Sequence, residues 1–325
     1  MKKILAYRFS AFGDVAMLVP VFKEFLEQNL SAEIHFVSRN NFKDLFNGIE
    51  RIHFIGVNFD DYKGVLGIRK LGKKLLKDIK PDYVADLHDV IRSKILDKIF
   101  QRHHLKVFKI NKGKEEKEEL TDIWNLNKKP LKRTVERYAD VFRAMGFPFE
   151  LSHQLRPQNS QKSGIGIAPF AQHKGKMLPL EKSFEMAKIL SEEHHLYFFG
   201  GGKEEVEILN VWEQKIPNST NLAGKLSLKQ ELEKIGELET MISMDSANMH
   251  LASLMGTRCV SVWGSTHPYA GFLGFGQSEK DIVQVSDLTC RPCSVFGDKP
   301  CYRDDWACLE EIKIQKIIDL IYKKD

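Results

Sequence analysis

Short apolar runs alternate, along the first half of the chain, with stretches whose apolar positions recur at helical spacing. The runs predict strands at 3–8, 33–37, 51–55 and 83–87. Helices are predicted at 14–28, near 41–47, and at 65–79, 90–100 and 131–145. The segment 65–79 is the plainest: Ile68, Leu71, Leu75 and Ile79 mark one face, and Lys70, Lys73, Lys74 and Lys77 the other. A polar stretch at 151–163, with Pro157 and no apolar period, interrupts the pattern. The alternation then restarts with strands at 164–168, 195–199, 240–244 and 258–263. Helices at 180–193, 203–215, 228–236 and 246–255 accompany them, and a last one at about 309–323 carries Leu309, Ile312, Ile317 and Leu320. Strands alternating with helices predict parallel sheets with crossover helices. The expectation is an α/β protein of two doubly wound domains, 1–155 and 156–325.

Composition narrows this picture only a little. A chain of 325 residues with 42% hydrophobic and 29% charged positions has material for two buried cores and is neither disordered nor fibrous. The net charge of +5 suits a phosphorylated substrate or an anionic membrane surface. No nucleic-acid motif and no interleaving of aromatic with basic residues supports a nucleic-acid partner. Lys2 and Lys3 precede an apolar stretch as in a secretory leader, but Arg8 and Asp14 interrupt it and no small-residue cleavage site follows. No run of about 18 apolar residues is present. The expected location is the cytoplasm. The mixed-charge run 112–119 reads as a solvated helix or loop.

Four segments carry candidate chemistry. In 240–268, Asp245, Ser246 and Ala247 stand where a strand gives way to a helix, and free backbone N–H groups there favour an anion. His250 lies one turn on, and Gly264, Ser265 and Thr266 leave the end of the next strand. The same residues also read as a helix cap and a packed histidine. In 167–179, Lys174 and Lys176 follow a strand end as point charges for phosphate, or as solvated lysines. In 199–205, glycines precede Glu204 and Glu205, a carboxylate placed for ribose hydroxyls or for ordinary helix initiation. At the start, Gly13 permits a turn after the first strand and Asp14 heads a helix, as a cleft carboxylate or an N-cap.

Taken in order, these segments resemble glycosyltransferase family 9, the ADP-heptose–lipopolysaccharide heptosyltransferases. The resemblance rests on Ser10-Ala-Phe-Gly-Asp14-Val with Leu18-Val-Pro20, Asp86-Leu-His-Asp-Val-Ile-Arg92-Ser, Lys176-Met-Leu-Pro179 and Gly201-Gly-Lys-Glu-Glu205. It continues through Asn221-Leu-Ala-Gly-Lys-Leu-Ser-Leu228, Asp245-Ser-Ala-Asn-Met-His250-Leu-Ala and Gly264-Ser-Thr-His-Pro268. It implies two facing Rossmann-like domains of the GT-B type, acceptor in the first and nucleotide sugar in the second, with the C-terminal helix packing back on the first domain. It also implies inverting transfer with no cofactor or metal needed for catalysis. Asp14 would be the general base. Lys176, Lys174 and the turn at Asp245, Ser246 and Ala247 would hold the diphosphate with Gly264, Ser265 and Thr266. Glu205 would hold the ribose, and His250 would shape the phosphate loop. Ser10, Gly13 and Arg92 would serve the acceptor, a lipopolysaccharide core or lipid A. Ala247 replaces the family's usual glycine, Ser265 its proline, and Phe170 and Ala171 its hydroxyl residues, so the sequence departs from the pattern around the donor.

Two features remain beside this reading. Lys70, Lys73 and Lys74 suit an acceptor contact or the cytoplasmic face of an inner membrane, or else a solvated helix face. Cys290, Cys293, Cys301 and Cys308, four of the five cysteines, have spacings that admit a structural Zn site in a loop 290–308, or a set of reduced thiols or a disulfide. A nucleotide-sugar epimerase and a non-catalytic nucleotide- or lipopolysaccharide-binding protein are the alternative functions.

Overall fold

Ile4, Leu5, Ala6 and Tyr7 have no exposed surface, which suits a strand covered on both faces. They lie in β1 (Lys2–Tyr7), the central strand of a five-stranded sheet, in the computed structural model of the chain, which describes residues 1–159 and 161–323. β2 (Ala32–Arg39) and β3 (Ile52–Val57) continue the sheet on one side, β4 (Tyr83–Asp86) and β5 (Val107–Lys109) on the other. All pairs are parallel, in the order β3-β2-β1-β4-β5. Alternate residues face opposite ways. Leu5 and Tyr7 meet Ile68, Leu71, Leu75 and Ile79 of helix Gly64–Ile79. On the other face Phe36 meets Phe22 and Phe46, and Phe22 in turn meets Phe142.

The second sheet holds β6 (Ile165–Ala168), β7 (Leu196–Phe198), β8 (Ser219–Asn221), β9 (Thr240–Met244), β10 (Arg258–Val262) and β11 (Ile282–Val283). Its order is β11-β10-β9-β6-β7-β8, again with parallel pairs. Each sheet reverses its strand order once, between β1 and β4 and between β6 and β9. The carboxyl ends of the strands beside such a reversal are where open α/β sheets take ligands.

Two compact units result. Met1–Lys112 and Thr134–Ser152 form the first, Gly113–Arg133 and His153–Asp325 the second. Residues 113–133, which a single break near 155 would leave in the first half, are therefore held by the second. Lys128 Nζ donates to the Pro292 carbonyl at 3.2 Å, and Leu131 N–H to that of Tyr269 at 2.9 Å.

Element boundaries depart from the periodicity where backbone chemistry intervenes. The helix expected over 14–28 is two, Phe12–Ala16 and Leu18–Gln28. Pro20 has no N–H to give the Ala16 carbonyl, so the ladder breaks ahead of it. The segment near 41–47 is a 3-10 helix, Asn40–Phe46. The C-terminal helix is Ile314–Tyr322. Ile317 and Ile318 are buried in the second core with Leu190, Val260 and Leu309. No helix among the described residues is long and apolar enough to cross a membrane.

Ile317 is fully buried, so Ile317→Ala should cost about 2–5 kcal/mol. Urea denaturation would show this as a lower midpoint for the second unit; an unchanged midpoint would mean that the helix is not part of that core.

Candidate functional site

In the first unit the turn after β1 is organised by a buried arginine. Arg8 donates from Nη1 to the Leu87 carbonyl at 2.6 Å, and its Nη2 pairs with Asp14 Oδ2 at 2.8 Å. The guanidinium lies 5.5 Å from the Tyr138 ring centroid. Burial disfavours its charge, but Tyr138 and Asp14 outweigh that and raise its pKa. Asp14 is the third residue of helix Phe12–Ala16, and the same Oδ2 accepts the Ala11 N–H at 3.3 Å. Both contacts fall on one oxygen, which leaves Oδ1 to meet a ligand. The Asp14 side chain is 24% exposed, Arg8 only 8%. Gly13, expected in a turn, lies inside the helix and accepts the Met17 N–H at 2.9 Å.

The neighbouring turn, after β4, completes this end of the sheet. Buried Asp86 takes the N–H groups of His88 and Asp89 on Oδ1 at 2.9 and 2.8 Å, and the Ser93 hydroxyl on Oδ2 at 2.8 Å. This bends the chain so that His88 Nδ1 accepts the Phe9 N–H at 3.3 Å, with Nε2 3.4 Å from Ser10 Oγ. With Nδ1 accepting, Nε2 carries the proton and donates to Ser10. Burial first, then the Arg8 charge, holds the His88 pKa down at about 3.

A cavity of about 770 Å³ adjoins this turn. Arg39 and Arg92 line it with Phe59, Tyr62 and Lys63. Arg39 Nε donates to the Phe9 carbonyl at 3.0 Å, and Arg92 lies 5.1 Å from the Phe59 ring centroid. Lys70, Lys73 and Lys74 do not line it; they are exposed on helix Gly64–Ile79.

In the second unit the loops after β6, β9 and β10 converge. Lys176 Nζ pairs with Asp245 Oδ2 at 2.9 Å, and Thr266 Oγ1 donates to that oxygen at 2.8 Å. Asp245 is buried and Lys176 nearly so. Ser246 is the N-cap of helix Ala247–Leu254, but its hydroxyl lies 3.2 Å from Ser243 Oγ and does not cap. The first-turn N–H groups thus remain for an anion. His250 is buried four residues into this helix. Lys174 lies against the Trp306 ring, 5.2 Å from its centroid. Glu205 Oε2 accepts the Gly201 N–H at 2.7 Å and closes the glycine turn after β7.

The N–H and hydroxyl of Ser265 both donate to the Gly175 carbonyl, at 2.7 and 2.9 Å. They tie the loop after β10 to the lysine loop. The two segments touch there: a Cβ on Gly264 would stand 2.5 Å from the Gly175 oxygen. Arg291 braces the same loop from beneath. It is buried and donates to the carbonyls of Gly264 at 2.5 Å, Thr266 at 2.9 Å and Trp263 at 3.1 Å. Burial lowers its pKa to about 10, so it stays charged at neutral pH.

Sequence reasoning missed Arg8, His88, Tyr138 and Arg291. Arg8 was visible as a charge directly after a buried run; the others left no local signal. The four clustered cysteines are free thiols around one cavity of about 10 Å³. Burial pushes Cys308 up to about 12 and Cys293 upward. No three of their sulfurs lie within 4.8 Å of one another; among the described residues, the group of three that does is Glu33, His35 and His53.

Two doubly wound parallel sheets, each presenting a charged turn at its reversal point, are the architecture of the GT-B glycosyltransferases, and solved structures share it across the chain. The glycosyltransferase family 9 of Veillonella parvula DSM 2008 superposes with a TM-score of 0.73 at 16% identity, covering 99% of this chain and 96% of that one. The E. coli ADP-heptose LPS heptosyltransferase II gives 0.70 at 19% identity, covering 99% and 98%. The chain belongs to glycosyltransferase family 9 (heptosyltransferase), whose model matches residues 68–300. It is also similar to lipooligosaccharide heptosyltransferase 2 of Campylobacter jejuni subsp. jejuni serotype O:2, 27% identical over 335 residues, with 98% of this chain and 96% of that one covered. The protein is a glycosyltransferase, which sets aside the epimerase and binding-protein readings.

The neutral His88 makes a pH prediction. Between about pH 6.5 and 3 the unfolded chain binds a proton at this residue and the folded chain does not, so stability rises with pH across that window and is lost as pH falls through it. The His88 ring resonances should not titrate between about pH 8 and 5, and His88→Gln should flatten the acid limb of stability. A ring titrating near its ordinary value would refute the buried neutral state.

Proposed function

We propose that this glycosyltransferase moves a heptose from ADP-heptose to a sugar of the lipopolysaccharide inner core, by single displacement with inversion and with no metal at the reacting atoms. The observation that carries the reading is the Lys176–Asp245 pair beside the uncapped N-terminus of helix Ala247–Leu254. A lysine held by a buried carboxylate and a turn of unspent N–H groups suit a diphosphate. The names of the relatives, two heptosyltransferases among them, supply the sugar.

On this reading Asp14 Oδ1 takes the proton of the acceptor hydroxyl as its oxygen bonds to the anomeric carbon. The bond from that carbon to the diphosphate oxygen breaks, and ADP leaves as an anion. Lys176 and the N–H groups of the Ser246–Ala247 turn stabilise the charge that develops. No acid is needed for such a leaving group, unlike glycoside hydrolysis. Arg8 holds Asp14 oriented. Thr266 and Gly264 shape the phosphate loop over Arg291, and Glu205 receives the ribose. The second unit binds the donor. In the first, Ser10, Arg92 and Arg39 receive the acceptor, the arginines matching its anionic groups in the 770 Å³ cavity. Lys70, Lys73 and Lys74, being exposed, suit the anionic face of the inner membrane and support a reading in which the enzyme works at its cytoplasmic side.

Asp14→Asn should lower kcat by about 10²–10⁴-fold, the range of a lost general base, while the ADP-induced rise in thermal midpoint persists. Assay of a panel of nucleotide sugars with truncated lipopolysaccharide acceptors checks both. Normal turnover in Asp14→Asn would sink the mechanism, and a preference for another nucleotide sugar would sink the donor.

A further inference from the structure

Glu33, His35 and His53 form a cluster that the transfer reaction does not use. β2 and β3 run parallel with His35 directly opposite His53. Glu33, two residues before His35 on β2, projects from the same face. The two imidazoles stack, with centroids 4.6 Å apart and planes 22° from parallel. Both turn Nε2 onto one carboxylate: Glu33 Oε1 is 3.1 Å from His35 Nε2, and Oε2 is 3.5 Å from His53 Nε2. The three donor atoms lie within 4.8 Å of one another. Glu33 is buried, His35 half-buried and His53 exposed, so the cluster opens to solvent on the side of the edge strand. It sits near the amino ends of the strands. From His35 to the carboxyl end of β2 at Arg39 is four residues, or roughly 13 Å, so the cluster is separate from the charged turns.

We infer that Glu33, His35 and His53 are a binding site for a divalent cation of the zinc class. Two imidazole nitrogens and one carboxylate are a ligand set that zinc takes with a fourth position left to water. Imidazole ligation also selects against magnesium and calcium, which prefer all-oxygen sites. Binding needs Nε2 of both rings free of a proton. The carboxylate then gives up its two imidazole contacts for the metal. Lys3, opposite Glu33 on β1, adds an opposing charge and makes the site weaker than an all-anionic one. The metal would join the edge strand β3 to β2 and brace a sheet margin that lacks a further strand.

The test uses the full chain, stripped with chelator and titrated with zinc chloride in a non-coordinating buffer. Comparison of the wild-type protein with His53→Ala separates this site from any zinc held by the cysteines. His53 is exposed on an edge strand, so its replacement leaves the fold intact, which circular dichroism of the metal-free protein confirms. Wild type should bind one zinc equivalent more than His53→Ala and gain a rise in thermal midpoint that the variant lacks. Magnesium should reproduce neither effect, and transfer rates at saturating substrates should match in the two proteins. Equal zinc stoichiometry and equal midpoint shifts would overturn the proposal. So would a midpoint that responds to pH through these histidines but not to zinc.

Discussion

A parallel strand cannot turn directly into its neighbour; a crossover must carry the chain back over one face of the sheet. Successive crossovers leaving a sheet in opposite directions must part company at one seam. At that seam the strand ends are left uncovered, and the polar turns that close them face no other layer. Both sheets here have such a seam, between β1 and β4 and between β6 and β9. The Arg8–Asp14 and Lys176–Asp245 pairs arise in turns that leave these strands. The topology therefore decides where a carboxylate can be held beside a cation without being sealed in.

The two seams use the same device to different ends. Each holds an aspartate against a cation through one oxygen, Asp14 with Arg8 and Asp245 with Lys176. Burial separates them. The Asp14 side chain is 24% exposed and its cation is hidden; the Asp245 side chain is 5% exposed and its lysine is the more open partner. The first arrangement presents a carboxylate to a ligand and the second presents an ammonium. A buried ion pair gains little net stability over apolar packing, so its value here is in orientation. The Thr266 hydroxyl on Asp245 and the Ala11 N–H on Asp14 serve the same purpose.

The long elements were legible because burial writes itself into sequence. β1 holds the apolar run Ile4–Tyr7, β9 is mostly apolar and buried throughout, and helix Gly64–Ile79 carries one clean stripe. β8 was not legible, since Ser219, Thr220 and Asn221 are polar and gain their place only through pairing with β7. β5 and β11, of three and two residues, are too short to show a period. Pro20 marked the break in the first helix, but amphipathicity continues through it. At the site, Asp14, Lys176, Asp245 and Thr266 were legible as residues beside strand ends. Ser265 was legible beside a strand end, but not its bond to Gly175, 90 residues away in the chain. Arg8 and His88 act through contacts 79 residues distant, which no local pattern records.

Arg291 has a consequence for the polarity of the loop above it. In a planar trans peptide the C=O and N–H point in opposite directions. Three carbonyls of the Trp263–Thr266 loop are drawn down onto one guanidinium, so the hydrogens of the same peptide units point the other way. A buried cation thus acts as an electrostatic ground. It absorbs the negative ends of the backbone dipoles and leaves the Gly264 and His267 N–H groups, that of Ser265 being taken by the Gly175 carbonyl, to meet an approaching anion with an attraction set by a charge it never touches.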